Sequence, residues 1–423
     1  MNFNTILVRF GLDPDDFENR YFEPIETEDG YIYEIYQKDK DRRCPNCGST
    51  KCEINNYKFI EIKATINSQL KETLRIRKIR YKCKECRKTF TNTISKINPK
   101  SRITNQVLSM INSEFYRMIT FSEIANTYNI TVPRVLQLFD KTFNFVPRKV
   151  LPKVLCIDEK HFKDGDSNYC CILYDYYSKD VVDVIKDRKL AYLDEYFSNI
   201  SEQERDNVNF FVTDMYDSYY TIYKRYFSKA THLIDLYHIV EQLTKAVNLL
   251  RIQAMNRTVK GTLRYRFFKE QWRQFLKRKE DIPNQFYIDK NTGEIFHYDD
   301  LLFECLKYDN ELSIGYNILQ DFYHYHLKRN FNEALEFINY IIYRLDNSNI
   351  VQLIPVSDTF TKWKVGIANT ISRTQNSIHY SNSIAETNNR HIDTLINMSY
   401  GYRNFERFRK RILLIRTFSK YKK

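Results

Sequence analysis

Four stretches decide the fold: VLCIDEKHF (154–162), YCCILYDYYSKDVVDVI (169–185), NFFVTDMY (209–216) and THLIDLYH (231–238). Each carries a short apolar run of strand length: Val154–Ile157, Tyr169–Tyr174, Val181–Ile185, Asn209–Val212 and His232–Ile234. The turn at Tyr177–Lys179 lets the first three runs pair as antiparallel hairpins. An amphipathic helix carrying Leu190, Leu193 and Phe197 follows them, and a second helix, Tyr216–Phe227, separates the last two runs. Asp158 and Asp214 each stand just past the end of an apolar strand. If those strands are neighbours in one sheet, both carboxylates emerge at the same edge, as a shared divalent-metal site requires.

Three antiparallel strands, a helix, and then strands alternating with helices is the order of an RNase H-like α/β core. A third carboxylate is expected from a later helix, and SNSIAETNNRHIDTLI (381–396) supplies one. Ile384, Ile392 and Leu395 repeat there at helical spacing, with Glu386 in the first turns. Arg390 stands at i+4 from Glu386, so a surface ion pair is the plain alternative for that glutamate. Asp214 and Glu386 are 172 positions apart, more than a bare core needs. The intervening residues, from about Arg257 to Lys364, are helical in pattern, as at Leu301–Leu306 and Phe331–Leu345, and read as an inserted domain. The turn-rich YIDKNTGEIFHY (287–298) interrupts them. Phe267, Phe268, Trp272 and Phe275 are expected in its core.

Upstream, Cys44-Pro-Asn-Cys47 and Cys83-Lys-Glu-Cys86 have the spacing of a tetrahedral zinc site, and Gly48 permits the tight turn after the first pair. Strand-like stretches at Tyr57–Ile62 and Thr73–Tyr81 complete a zinc ribbon. Arg75, Arg77 and Arg80 on the second strand are candidate phosphate contacts. Cys52 is left outside the ligand set, because two pairs already fill a tetrahedron. Cys156, Cys170, Cys171 and Cys305 sit in apolar contexts as core residues. Thr104 can cap a helix reaching about Met118. Beyond it TFSEIANTYNITVPRVLQLFDK (120–141) reads as a helix-turn-helix, with Arg134 and Gln137 facing outward to reach base edges. The organisation expected is therefore an acidic segment over 1–40, a zinc ribbon over 41–100 and a helix-turn-helix domain over 101–148. The core follows over 153–256, the helical insertion over 257–370, and the last part of the core with a basic C-terminal helix over 371–423.

Composition agrees with that plan. The 423 residues suit two to four domains, and 43% hydrophobic content excludes a disordered chain. Nine Gly and nine Pro exclude a collagen-like or linker-dominated one. The net charge of +13 is concentrated: residues 41–105 hold 17 basic and 5 acidic residues, and 401–423 hold 9 and 1. Such blocks favour a polyanion, and nucleic acid foremost. In the last block Phe405, Phe408, Ile412 and Ile415 share one helical face, with the basic residues opposite. No apolar run reaches membrane-spanning length and the start turns acidic, so a cytoplasmic protein is expected.

These residues together resemble the ISL3 family of insertion-sequence transposases, over nearly the whole chain. Asp158-Glu159 with Tyr169 ten residues on, VTDMY around Asp214, Asp235-Leu-Tyr-His238, and Asn382, Glu386 and Asn389 match the family's motifs in order. Gly401-Tyr-Arg-Asn-Phe405 is similar to its C-terminal stretch. Thr387 departs from the Gly frequent at that position. The resemblance implies a DDE triad of Asp158, Asp214 and Glu386 holding Mg²⁺ or Mn²⁺, with His238 nearby as an orienting residue and Asp235 as a weaker candidate. It implies double-stranded DNA, both transposon ends and target, as the partner, cleavage and strand transfer as the reactions, and a bacterial setting. A homodimer is expected, since two ends must be paired. Two rival readings are a catalytically inactive zinc-dependent DNA-binding regulator and a metal-dependent nuclease that cuts without joining.

Overall fold

The computed structural model describes residues 3–20, 23–40, 42–64, 70–97, 102–164, 167–324, 330–372, 380, 383–399, 402 and 404–419. The chain divides into two units, Met1–Pro147 with Ile392–Lys423, and Arg148–His391.

The first unit begins with helix α1 (Phe3–Arg9) and strands β1 (Ile25–Thr27), β2 (Gly30–Tyr36), β3 (Cys52–Lys63), β4 (Lys71–Cys83) and β5 (Thr89–Thr91). They form one sheet in the order β1-β2-β4-β3, with β5 also on β4. Alternation along β4 buries Leu74 and Ile76 against Leu7, Phe10, Leu12, Tyr33 and Ile35. The first forty residues are thus not a separate acidic segment. β2 runs parallel to β4 from Gly30↔Lys71 to Tyr36↔Arg77, because the apolar face of β4 needs a cover. Acidic residues come with it: Glu34 lies 3.8 Å from Arg75, Glu18 3.8 Å from Arg77, and Arg9 pairs with Glu72 at 2.7 Å.

Helices α2 (Asn105–Glu114), α3 (Phe121–Thr127) and α4 (Val132–Thr142) follow. Thr104 and Thr120 cap the first two by accepting from Val107 N and Glu123 N. α2 stops at Glu114, short of the expected Met118. Ile124, Ala125, Val135 and Phe139 are buried, and Asn129 turns the chain between α3 and α4 at φ +49°.

The second unit holds β6 (Val154–Asp164), β7 (Ser167–Asp175), β8 (Val181–Ile185), β9 (Phe210–Thr213) and β10 (Thr231–Ile234), in the order β10-β9-β6-β7-β8. β6, β7 and β8 are antiparallel, and β9 and β10 run parallel to β6. β6 does not stop at Ile157 as expected. It continues because Asp158 to His161 pair with Ile172 to Tyr169 of β7, which places Asp158 in mid-strand. Helices α5 (Leu190–Ser198), α6 (Glu202–Asp206) and α7 (Asp217–Tyr226) follow in sequence, and Leu193, Phe197, Tyr219 and Ile222 pack with Leu155 and Phe211.

Helices α8 (Leu236–Arg257) and α9 (Leu263–Glu270), the hairpin β11 (Phe286–Ile288) and β12 (Ile295–His297), and α10 (Tyr298–Tyr308), α11 (Asn310–Tyr323), α12 (Phe331–Asp346) and α13 (Ile354–Ile371) complete the helical part. The expected insertion shares one core with α8 and β10: Phe267, Phe268 and Phe275 are buried in the same cluster as Ile234, Ile239 and Ile367. α13 closes the free edge of β10. Thr370 Oγ1 accepts from Ile234 N at 2.8 Å, and Asn369 Nδ2 donates to the His232 carbonyl at 3.0 Å.

Two helices end the chain, α14 (Ser383–Met398) and α15 (Phe405–Ser419). Residues 371–423 were expected to finish the core, yet the part from Ile392 belongs to the first unit. Nor does α15 keep its basic residues on an open face. Arg411 is fully buried, over the Phe121 ring, and donates to the carbonyls of Phe115, Arg117 and Ile119. Arg407 pairs with Asp140 at 2.6 Å, and Leu413 and Leu414 are buried beside Ile412. The carbonyls left over after α2 need donors, and a planar guanidinium with five N–H groups serves three at once. Replacing Arg411 by Met leaves them unpaired and is expected to cost about 3 kcal/mol or more. Urea unfolding of the full chain measures it; an unchanged midpoint would refute the assignment. Among the described residues no helix is long and apolar enough to cross a membrane.

Candidate active site and cysteine centre

Pairing between β6 and β9 ends at Cys156↔Val212. Asp158 and Asp214 each lie two residues further on, so the period of two brings both to the same side of the sheet. Asp158 Oδ1 accepts from Glu159 N at 2.8 Å, and Oδ2 accepts from Asn389 Nδ2 at 2.7 Å. Asn389 is in turn held by the Tyr174 hydroxyl, which donates to its Oδ1 at 2.8 Å. Burial, then the charge of Asp214, push the Asp158 carboxyl up to about 7.

β9 and β10 pair in register to Thr213↔Ile234, so Asp235 leaves its strand level with Asp214. His238, in the first turn of α8, places Nε2 at 3.1 Å from Asp214 Oδ1 and 3.9 Å from Asp235 Oδ2. Its Nδ1 lies 3.6 Å from Glu241 Oε2. Burial opposes its charge, but the hydrogen bond and charge of Asp214, with the charges of Asp235 and Asp158, outweigh burial and hold it at about 9. Asp214 Oδ1 is nevertheless buried without a well-aligned hydrogen-bond donor among the described residues. One ligand atom each from Asp214, Asp235 and His238 can gather within 4.8 Å of one another. Two carboxylates and one imidazole gathered this closely fit a divalent cation such as Mg²⁺ or Mn²⁺.

The sequence ranked these residues differently. Asp235 stood last, yet it shares the tight cluster, and its signal was available: it follows an apolar strand as Asp214 does. Asn389 was matched to a motif without a role, and it is the direct partner of Asp158. Glu386 lies in α14 one turn before Asn389, and its side chain is outside the described residues, as are Asn382 and the side chain of Thr387. Glu159 is ion-paired to Arg188, whose guanidinium lies 4.5 Å over the Tyr169 ring and 4.8 Å over that of Tyr216.

Cys44, Cys47, Cys83 and Cys86 converge, with Sγ···Sγ distances of 3.6 Å for Cys44–Cys86 and for Cys47–Cys83. A zinc tetrahedron with bonds of about 2.3 Å has edges of about 3.8 Å, so the set fits Zn²⁺. Gly48 takes φ +74° after the first pair. Backbone N–H groups of Cys86 and Glu85 help pull the Cys83 thiol down to about 6, toward the thiolate a metal needs. Cys52 stays outside the set and bonds to the Ser49 carbonyl.

The expected DNA contacts are partly engaged within the protein. Arg77 lies over the rings of Tyr36 and Tyr57, Arg75 over Phe59, and Arg80 donates to Thr89 Oγ1 at 2.9 Å. β4 is an inner strand rather than an open ribbon. Arg134 donates to Gln137 Oε1 on α4, and Gln137 is exposed.

Residues 155–412, more than half of the chain, match the model of the ISL3 family, described as transposase. No curated protein matches the chain.

Proposed function

This chain belongs to the ISL3 family of transposases, and from that membership we propose that it binds the terminal inverted repeats of an insertion sequence and catalyses metal-dependent cleavage and strand transfer through Asp158, Asp214 and Glu386. The observation that carries this reading is the hydrogen bond from Asn389 to Asp158. It ties the strand pair holding Asp158 and Asp214 to the helix that bears Glu386, one turn before Asn389. In this reading Arg148–His391 is built on an RNase H-like core, supported by its β10-β9-β6-β7-β8 order.

Asp158, Asp214 and Glu386 would hold Mg²⁺ or Mn²⁺, with Asp235 and His238 beside them. Divalent ions held there would polarise the attacking oxygen and stabilise the leaving one. Asn389 and Tyr174 fix the rotamer of Asp158. His238 keeps a proton at Nε2 against Asp214 and can hand it to a departing oxygen. Hydrolysis first frees a 3′-OH at the element's end, and that hydroxyl then attacks a target phosphodiester. The cysteine centre, holding structural zinc, and a helix-turn-helix formed by α3 and α4 would bind the end, with Arg134 and Gln137 at base edges and Arg75, Arg77 and Arg80 near phosphates. A homodimer would pair two ends.

The test uses a duplex bearing the terminal repeat from the DNA flanking the reading frame. With Mg²⁺ the wild type is expected to nick the end and join a pre-nicked end to a second duplex, and Glu386→Gln to do neither while binding normally. Nicking without joining leaves a nuclease. Binding without either reaction leaves a regulator.

A further inference from the structure

A cavity of about 330 Å³ opens between α7 and α13, away from the carboxylates. Its walls are aromatic: Tyr220, Tyr223 and Trp363, with His232 of β10 at its floor. His232 stacks on Tyr223 with ring centres 4.7 Å apart, and Tyr220 meets Trp363 edge-on at 5.3 Å. Two exposed lysines stand at the rim. Lys224 lies 4.3 Å over the Tyr220 ring with no carboxylate within ion-pair distance among the described residues, and Lys362 makes a solvent-exposed pair with Asp217 and lies 5.8 Å over the Trp363 ring. Planar walls with a cationic rim suit a planar group attached to an anion.

The floor is polar and connected to the site. Thr213 donates its hydroxyl proton to the Asp214 carbonyl at 2.9 Å, so the Nε2–H of His232 donates to Thr213 Oγ1 at 2.8 Å. Nδ1 is then an acceptor, with no hydrogen-bond partner among the described residues. Gly366 keeps the cavity open beside it, since a Cβ there would stand 3.6 Å from that Nδ1 and 2.8 Å from Ile234 Cγ1. A buried, neutral imidazole offering an acceptor complements the amino or imino edge of a nucleobase. The volume lies at the lower end of small-ligand pockets and admits one nucleotide rather than a duplex.

We propose that this cavity receives one unpaired nucleotide of a DNA strand, its base between the aromatic walls and its phosphate at Lys224 and Lys362. This rests on the reading of the chain as a DNA transposase and adds to it a second contact point beside the Asp214 strand. Extruding a base from a duplex unstacks it, so the cavity favours DNA that is already distorted or single-stranded.

Trp272 and Trp363 are the chain's two tryptophans, which makes the test direct. The full chain, in chelator so that cleavage plays no part, is titrated with a five-nucleotide thymidylate strand while tryptophan emission is followed. Quenching is expected in wild type and in Trp272→Phe, and is expected to vanish in Trp363→Phe. Lys224→Glu, an exposed change that leaves the fold intact, is expected to raise the half-saturating concentration about tenfold. Quenching that persists in Trp363→Phe, an unchanged affinity in Lys224→Glu, or a response to free thymidine monophosphate but not to the strand each overturn the proposal. A chain that cleaves ends yet gives no Trp363 response loses only this inference. One that responds but never cleaves loses only the catalytic reading.

Discussion

Asp214→Asn is expected to lower strand cleavage by about 10³-fold or more while leaving binding of the terminal repeat unchanged, because a divalent ion contributes several kcal/mol to such a transition state. The substitution removes the carboxylate charge and one of its two oxygens at a buried position where Oδ1 lacks a well-aligned donor. An amide fills that place sterically and can satisfy itself against His238, so the protein remains folded. Asp158→Asn is expected to be equally inactive but with the opposite signature in stability. The carboxyl of Asp158 is held up at about 7, so in the metal-free protein its ionisation destabilises the fold above its ordinary range near 4, with the full effect above pH 7. Removing the charge should therefore raise the melting temperature in chelator at pH 8 and change it little at pH 4. Cleavage assays paired with thermal melts at those two pH values check both halves. A variant at either position that still cuts at the wild-type rate sinks the assignment.

Loss of the zinc that the four cysteines would hold is the second large expected effect. Structural zinc in small modules contributes about 10–16 kcal/mol of apparent binding energy at neutral pH, more than a typical domain's whole stability. Cys52 and Cys83 face each other across the β3–β4 pair, so the two knuckles close one end of that sheet. Cys83→Ser, or a strong chelator, is expected to unravel that end and abolish repeat binding. Cys52→Ser, which removes only a bond to the Ser49 carbonyl, should do neither. Native mass spectrometry reads the metal and gel shift reads the DNA. Less than one zinc per chain in the wild type would count against the centre.

Local patterns made the strands legible. Alternation and short apolar runs placed all five strands of the second sheet, because those signals lie within a dozen residues of themselves; the four-cysteine cluster was legible because each of its two pairs is local, although the pairs are 36 and 42 residues apart. Long-range pairing was not legible. Nothing near Ile157 says that β6 continues, since its continuation depends on Tyr169–Ile172 crossing over to pair with it. The acidic start looked detached because its charge is local, whereas its role is to cover the apolar face of β4 with Tyr33 and Ile35. α15 misled most. Its arginines read as a solvated face, and only the unpaired carbonyls nearly 300 residues earlier explain why Arg411 is buried. For the candidate site, Asp158 and Asp214 were visible as residues that end apolar runs. Asn389 became meaningful only with its partner 231 positions away.

That distance also sets a timetable. On the ribosome, the strands bearing Asp158 and Asp214 emerge long before Asn389 reaches them, and the helices of the first unit wait as long for Arg411. A nascent chain ending before α14 would carry Asp158, Asp214 and the four-cysteine cluster, yet lack Asn389 and Arg411, the side chains that bond Asp158 and the carbonyls after α2. Neither unit can therefore finish its packing until α14 and α15 have been made.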